Sequence, residues 1–190
     1  MPETLISEKV MNYVEDACIQ PANQLTKSFY REHVLVVHKY CGILASVLKC
    51  DEDIACISAL LHDISVVFDF KSLPNHNSES AGIAERVLRS FKYPEDRIAR
   101  VKRCISNHMS PLKINEGPLE DVVLSNADAI SQIIVPSYWL YFAFKIRNSG
   151  YDEGLKWYSD RIENNWDSLI DPAKSLIEER YRNIRLTLHL

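Results

Sequence analysis

The chain of 190 residues has only five glycines and no glycine-rich loop, so it offers no phosphate-cradling turn of the P-loop or dinucleotide kind. It also lacks a long apolar run. The longest, Ile133 to Phe144, is interrupted by Pro136 and Ser137 and is too short to span a bilayer. The five cysteines, Cys18, Cys41, Cys50, Cys56 and Cys104, are odd in number and include no CxxC pair. Most lie among apolar residues, as expected of free thiols in a reducing cytosol. Nor is there a basic excess. Against 22 Lys and Arg stand 26 Asp and Glu, and the formal charge of -4 argues against a generic nucleic-acid partner. A small anionic substrate stays open, because a bound metal can reverse the local field. The opening segment MPETLISEKV has no basic region followed by an apolar one, so the expectation is a cytoplasmic protein without a signal peptide or membrane span.

What the chain does have is 46% hydrophobic residues, enough for one globular domain with a real core. Their spacing is helical almost throughout. Apolar positions recur at three and four from residue 3 to about 19, and Pro21 interrupts. A longer helix is expected from about 23 to 49, with an inward stripe of Tyr30, Val37, Cys41, Leu44 and Leu48. Asp51 caps the next helix, with Glu52 and Asp53 in its first turn. That helix runs through Ile54, Ile57, Leu60 and Leu61 to His62 and Asp63. Val66-Val67-Phe68 reads as a continuation or a loop packed on the core, and Leu73-Pro74-Asn75 as a turn. Further helices are expected from His76 or Asn77 to about 92, from Pro94 to near His108, from Leu119 to Ile130, over 137–148 and 152–166, and from Asp171-Pro172 to the C-terminus. No repeat or linker interrupts the pattern, and the expectation is a single all-α domain over residues 1–190.

Several polar side chains fall where apolar ones are expected. His62 and Asp63 end an apolar helix, and an imidazole beside a carboxylate in a core is costly unless something satisfies both. His33 lies one turn before Val37, at the edge of its helix stripe, whereas His38 falls roughly 100° away toward the flank. His76 starts a helix and His108 ends one. Asp128 sits between alanines in Asn126-Ala127-Asp128-Ala129-Ile130, where a charge needs a partner. Imidazole and carboxylate together suit a divalent transition metal: manganese, iron, nickel, cobalt or zinc.

The ordered set His33, His62-Asp63, His76, His108, Asp128, each on an apolar helix, resembles the HD superfamily of metal-dependent phosphohydrolases, in particular its small stand-alone members. The matching stretches are His33-Val34-Leu35-Val36-Val37, Ala59-Leu60-Leu61-His62-Asp63-Ile64, His76 with Glu79-Ser80-Ala81, Ile105-Ser106-Asn107-His108, and Asn126 to Ile130. They cover about residues 25 to 135, with the helices of 137–189 completing the fold. The resemblance implies a helical bundle with a buried metal site. His33, His62, Asp63 and Asp128 would hold one metal, whose bound water attacks phosphorus, and Asp63 would orient that water. His76 and His108 would hold a second ion or contact substrate phosphate, which makes one or two metals per chain. The expected substrate is a small phosphorylated molecule, a nucleotide among the candidates.

This chain departs from the family pattern in following His62-Asp63 with Ile64-Ser65, where many members have Gly-Lys. The cationic phosphate contact must then come from elsewhere. Asp69, Lys71, Arg86 and Lys102 are candidates for substrate binding, and spacing does not choose among them. Two further functions fit the same residues. One is a di-iron oxygenase of the HD fold. The other is a non-catalytic HD module that keeps the metal as a pin and binds a nucleotide or a protein. The oligomeric state is not legible.

Overall fold

A computed structural model describes residues 3–189 of the chain, and among them it contains helices and no strand. Helix α1 spans Glu3–Cys18, α2 Leu35–Leu48, α3 Glu52–Leu61, α4 Ile64–Phe68, α5 His76–Ser90, α6 Glu95–Asn107, α7 Leu119–Ile134, α8 Pro136–Tyr141, α9 Tyr151–Ser168 and α10 Asp171–Leu188. A 3₁₀ segment, Phe70–Asn75, joins α4 to α5.

Two helices form the centre. On α7 every residue from Asp121 to Ile133 is buried, so this helix has no solvent face. A helix apolar and buried all round belongs in the interior of its domain. It packs against α2, α3, α6, α9 and α10. Helix α3 is nearly as enclosed, with Ile54, Ile57, Leu60 and Leu61 at 0–1% exposure. Its start is set by Asp51, whose side chain accepts the Ile54 N–H at 3.2 Å. Arg97 and Arg100 of α6 both bond Asp51, which clamps that end of α3 to its neighbour. At the other end Asp63 adopts φ -114°, ψ 15°, and this break between α3 and α4 turns its side chain off the helix axis.

The long helix expected from about 23 starts later. Asn23 is buried in a turn of its own: its amide donates to the carbonyls of Cys18 and Thr26, and its Oδ1 accepts the Leu25 N–H at 2.9 Å. Thr26 takes φ 66°, and no α-helix passes through it. The chain then enters a π-helical turn, Tyr30–Val34, closed by the Leu35 N–H on the Tyr30 carbonyl. That extra residue rotates the stripe. Phe29, His33 and Val34 are buried, while Tyr30 is only half-buried. A second π turn, Phe142–Ile146, follows α8. Val66, Val67 and Phe68 belong to α4, a helical continuation of the His62-Asp63 corner.

Candidate metal centre and cavity

Four helix ends or breaks and the middle of a fifth helix deliver the polar set to one place. His33 comes from the first π turn, His62 and Asp63 from the α3–α4 corner, His76 from the start of α5, His108 from the end of α6, and Asp128 from the middle of α7. His33 and His62 are fully buried, and Asp128 is 8% exposed.

Each imidazole is held by its Nδ1. His62 Nδ1 bonds the Ala59 carbonyl at 2.8 Å, His76 Nδ1 that of Leu73 at 2.7 Å, and His108 Nδ1 that of Ile105 at 2.6 Å. A carbonyl only accepts, so Nδ1 carries a proton and Nε2 is the nitrogen turned toward the site. His33 Nδ1 instead meets Ser131 Oγ at 2.8 Å. Anchoring one ring nitrogen and freeing the other is how proteins prepare metal-ligating histidines.

The four Nε2 atoms converge on two carboxylates. Asp63 Oδ2 lies 3.4 Å from both His33 Nε2 and His62 Nε2, while its Oδ1 lies 3.4 Å from His76 Nε2 and 3.6 Å from His108 Nε2. Asp128 Oδ1 lies 3.5 Å from His33 Nε2 and 3.8 Å from His62 Nε2. Ligand atoms of His33, His62 and Asp128, and those of His62, Asp63 and His108, each fall within 4.8 Å of one another. Asp63 Oδ1 and Asp128 Oδ1 are buried without any hydrogen-bond donor. An orphaned carboxylate oxygen facing imidazole Nε2 atoms is satisfied by a cation between them, so the donor set fits a divalent metal. The remaining oxygen of Asp128 accepts from Gln132 Nε2 at 2.8 Å, and Gln132 in turn accepts from Asn165 of α9.

Electrostatics divide the histidines. Burial lowers the pKa of His33. Burial also opposes charge on His62, but the carboxylates of Asp63 and Asp128 prevail and raise it to about 9. Asp63 is desolvated as well, yet the charge of His62, with His108 and His33 beside it, holds it well below the usual carboxylate range.

A cavity of about 280 Å³ opens over this cluster, with Asp63, His76, His108 and Asp128 at its base. Trp139 and Phe142 form part of its wall. Val66 and Leu73 of the 64–75 segment reach its rim, as does Met109.

The substrate contacts expected from the sequence lie elsewhere. Asp69 caps the 3₁₀ segment by accepting the Lys71 N–H, Lys71 and Arg86 are exposed, and Lys102 pairs with Glu85. None of the four lines the cavity. Its cations are instead Arg147, at the end of the second π turn, and Arg161 of α9. Sequence reasoning passed over both. The signal for Arg161 is its position three residues after Tyr158 and one before Ile162, both fully buried, where a stripe of apolar residues admits a charge. His38 is half-buried outside the cluster and His189 is exposed. Asn126 serves the scaffold: its amide holds the carbonyls of Leu112 and Val122, and its Oδ1 accepts the Ile170 N–H.

Solved structures share this architecture. The Lin1889 protein of Listeria innocua is 14% identical, with a TM-score of 0.73 over 100% of this chain and 94% of that one. YpgQ of Bacillus subtilis is 18% identical, with a TM-score of 0.73 over 100% and 95% of the two chains. A predicted HD superfamily hydrolase from an uncultured Thermotogales bacterium is 22% identical, with a TM-score of 0.58 over 82% and 84%. At such identities the likeness speaks for the fold alone. No curated protein matches the chain. The HD domain family model matches residues 30–133, more than half of the sequence and the whole stretch from His33 to Asp128, and the chain belongs to the HD-domain family.

Proposed function

We propose that this protein is a metal-dependent hydrolase of a small phosphorylated molecule, with nucleotides the first class to test. The observation that carries the proposal is the position of Asp63, whose two oxygens address two different pairs of histidines. His33, His62, Asp63 and Asp128 would hold one divalent metal. Asp63, His76 and His108 would hold a second. When bound, such a metal polarises a phosphoryl oxygen and acidifies a water for attack on phosphorus.

The chain's own contribution is orientation, charge and exclusion of water. The Nδ1 anchors keep four imidazoles aimed without reorganisation when substrate arrives. Asp63 stays ionised at any ordinary pH, so the bridging position keeps its negative charge. Phe29 stacks on His33 with centroids 4.8 Å apart, and Trp139 meets the same ring edge-on at 5.3 Å. These rings shield that side of the site from bulk water and lower the local dielectric. Family membership supports hydrolysis, since a structural neighbour is named a predicted HD superfamily hydrolase. A nucleotide is supported by the Bacillus subtilis YpgQ structure in complex with ADP, 17% identical with a TM-score of 0.70.

The test is phosphate release from a panel of nucleotides and sugar phosphates, with metal content measured alongside. Asp63→Ala should abolish metal-dependent release while leaving helicity largely intact. Undiminished release in that variant would refute the proposed site. Two tightly bound irons with visible absorbance and no phosphate release would transfer the protein to the HD-fold oxygenases.

A further inference from the structure

The cavity has unpaired groups of both signs. At its base stand the orphaned acceptors Asp63 Oδ1 and Asp128 Oδ1. Two residues of its wall carry orphaned donors, Trp139 Nε1 and Arg161 Nε, both buried without an acceptor. A buried donor left unpaired loses its hydration without recompense. Trp139 and Arg161 both line the cavity, and among the described residues neither orphaned donor has an acceptor.

Arg161 is the more telling of the pair. Its guanidinium lies 5.3 Å from the ring centres of both Trp139 and Trp157, and among the described residues it makes no ion pair. Burial weakens its hold on the proton, and only the charges of Asp128 and Asp63 offset this. Those two carboxylates are the ones the metals would neutralise. A metal-loaded protein therefore leaves the half-buried Arg161 charged and, among the described residues, without a counter-ion. Arg147 adds a second positive charge nearer the mouth, 4.9 Å from the Trp157 ring, on an exposed segment just after the second π turn. π turns are frequent at functional sites. Here the first carries His33 and the second leads into Arg147.

We propose that Arg161 and Trp139, with Arg147 at the mouth, form an anion subsite that holds a phosphate group other than the one at the metal centre. The subsite deepens the function proposed above and rests on it. It makes the substrate a di- or triphosphate in preference to a monophosphate. The charge balance agrees. Two divalent ions against Asp63 and Asp128 leave a surplus of about two positive charges, which one phosphoryl group of about -2 neutralises. Arg161 and Arg147 supply two more, which a single phosphate leaves unmatched and a second phosphate satisfies. A planar guanidinium presents paired N–H donors that suit phosphate oxygens. A cavity of about 280 Å³ is small among ligand sites, which run from roughly 300 Å³ upward. It accommodates the phosphates and leaves the rest of the substrate at the rim.

The test uses the manganese-loaded full-length protein and two non-hydrolysable probes, methylenediphosphonate and methylphosphonate. Binding is followed by calorimetry and by the fluorescence of Trp139 and Trp157. Metal content and helicity are measured for every variant. The parent should bind the diphosphonate at least tenfold more tightly than the monophosphonate. Arg161→Gln should lose at least tenfold in diphosphonate affinity and less than threefold in monophosphonate affinity, with metal content unchanged. Arg161→Lys, which keeps the charge and loses the planar fork, should fall between. Trp139→Phe, which keeps the ring and loses the N–H, should lose a few-fold. Equal affinity of the parent for the two probes, or full diphosphonate affinity in Arg161→Gln with its metals in place, would overturn the subsite. Either result alongside metal-dependent phosphate release by the parent leaves the hydrolase proposal standing. If the loaded parent binds neither probe and releases no phosphate, both proposals fall together. Should Arg161→Gln fail to fold, the Lys and Trp139→Phe variants decide.

Discussion

Ser131 Oγ lies 2.8 Å from His33 Nδ1 and donates its own proton to the Asp128 carbonyl at 2.8 Å. With that proton committed, the hydroxyl can only accept from His33, which places the imidazole proton on Nδ1 and leaves Nε2 free. One side chain thereby couples a histidine on the first π turn to the helix that supplies Asp128. Ser131→Ala removes this control while leaving the ring packed between Phe29 and Trp139. Loss of such an outer partner typically weakens metal binding 10–100-fold. Competition against a chelator should show a fall of that order, with helicity unchanged. An unaltered affinity would mean that packing alone orients His33.

On the proposed function, the division of Asp63 between two histidine pairs predicts two metals. His76 Nε2 and His108 Nε2 lie 3.2 Å apart and share the Oδ1 side of Asp63. Elemental analysis of manganese-loaded protein should give about two ions per chain. His76→Ala and His108→Ala should each retain about one, because His33, His62 and Asp128 do not depend on them. One ion in all three proteins would instead assign His76 and His108 to substrate.

How much of this was legible beforehand depended on how local the signal was. His62, Asp63 and Asp128 stand out because each breaks an apolar helix face within a few residues. Helical periodicity favours His33 over His38 as a buried residue, and the structure buries His33 in the cluster and leaves His38 half-buried outside it, although the register around His33 is π rather than α. The late start of α2 was not legible. It turns on Asn23 capturing three backbone groups, a matter of side-chain geometry that composition does not reveal. Arg147, Trp157 and Arg161 were missed for a different reason. Which face of α9 meets the cavity is decided by how α8 and α9 fold back on α7, a long-range relation. The cations that the sequence offers as candidates, Lys71, Arg86 and Lys102, do not line the cavity.

Stability and metal binding should respond to pH through His62. Its pKa in the folded metal-free protein is about 9, against an ordinary 6.5. A raised folded value means that its stabilising contribution is complete below about pH 6.5 and is lost as pH rises through about 9. The depressed value of Asp63 works the other way, present above the ordinary carboxylate range and lost only in acid. Chelator-treated protein should therefore melt at progressively lower temperature between pH 6.5 and 9. Metal uptake must expel the His62 proton, so affinity should strengthen with pH over the same interval. Thermal melts with and without manganese at three pH values test both trends. The gap between the two curves should widen toward pH 9. Parallel curves would show that His62 is not a ligand.

Gly154 lets α9 approach the second π turn closely. It is buried on the first turns of α9, and a Cβ there would stand 2.5 Å from Phe144 Cε1 and 2.6 Å from Cδ1. The Phe144 ring is not free to leave, since it stacks on Tyr151 with centroids 5.9 Å apart and planes 8° from parallel. Alanine in a helix gains about 0.5–1 kcal/mol over glycine. Forcing a methyl group into a packed contact costs about 1–3 kcal/mol. The clash outweighs the propensity, so Gly154→Ala should destabilise by about 1 kcal/mol in urea unfolding. Adding Phe144→Ala to it removes the obstacle and leaves the propensity gain. The double variant should then be more stable than Phe144→Ala alone, a coupling of opposite sign to the single substitution. If Gly154→Ala instead stabilises the parent, Phe144 moves aside at little expense. The close approach of α9 to the second π turn would then not be what holds Trp157 and Arg161 against the cavity.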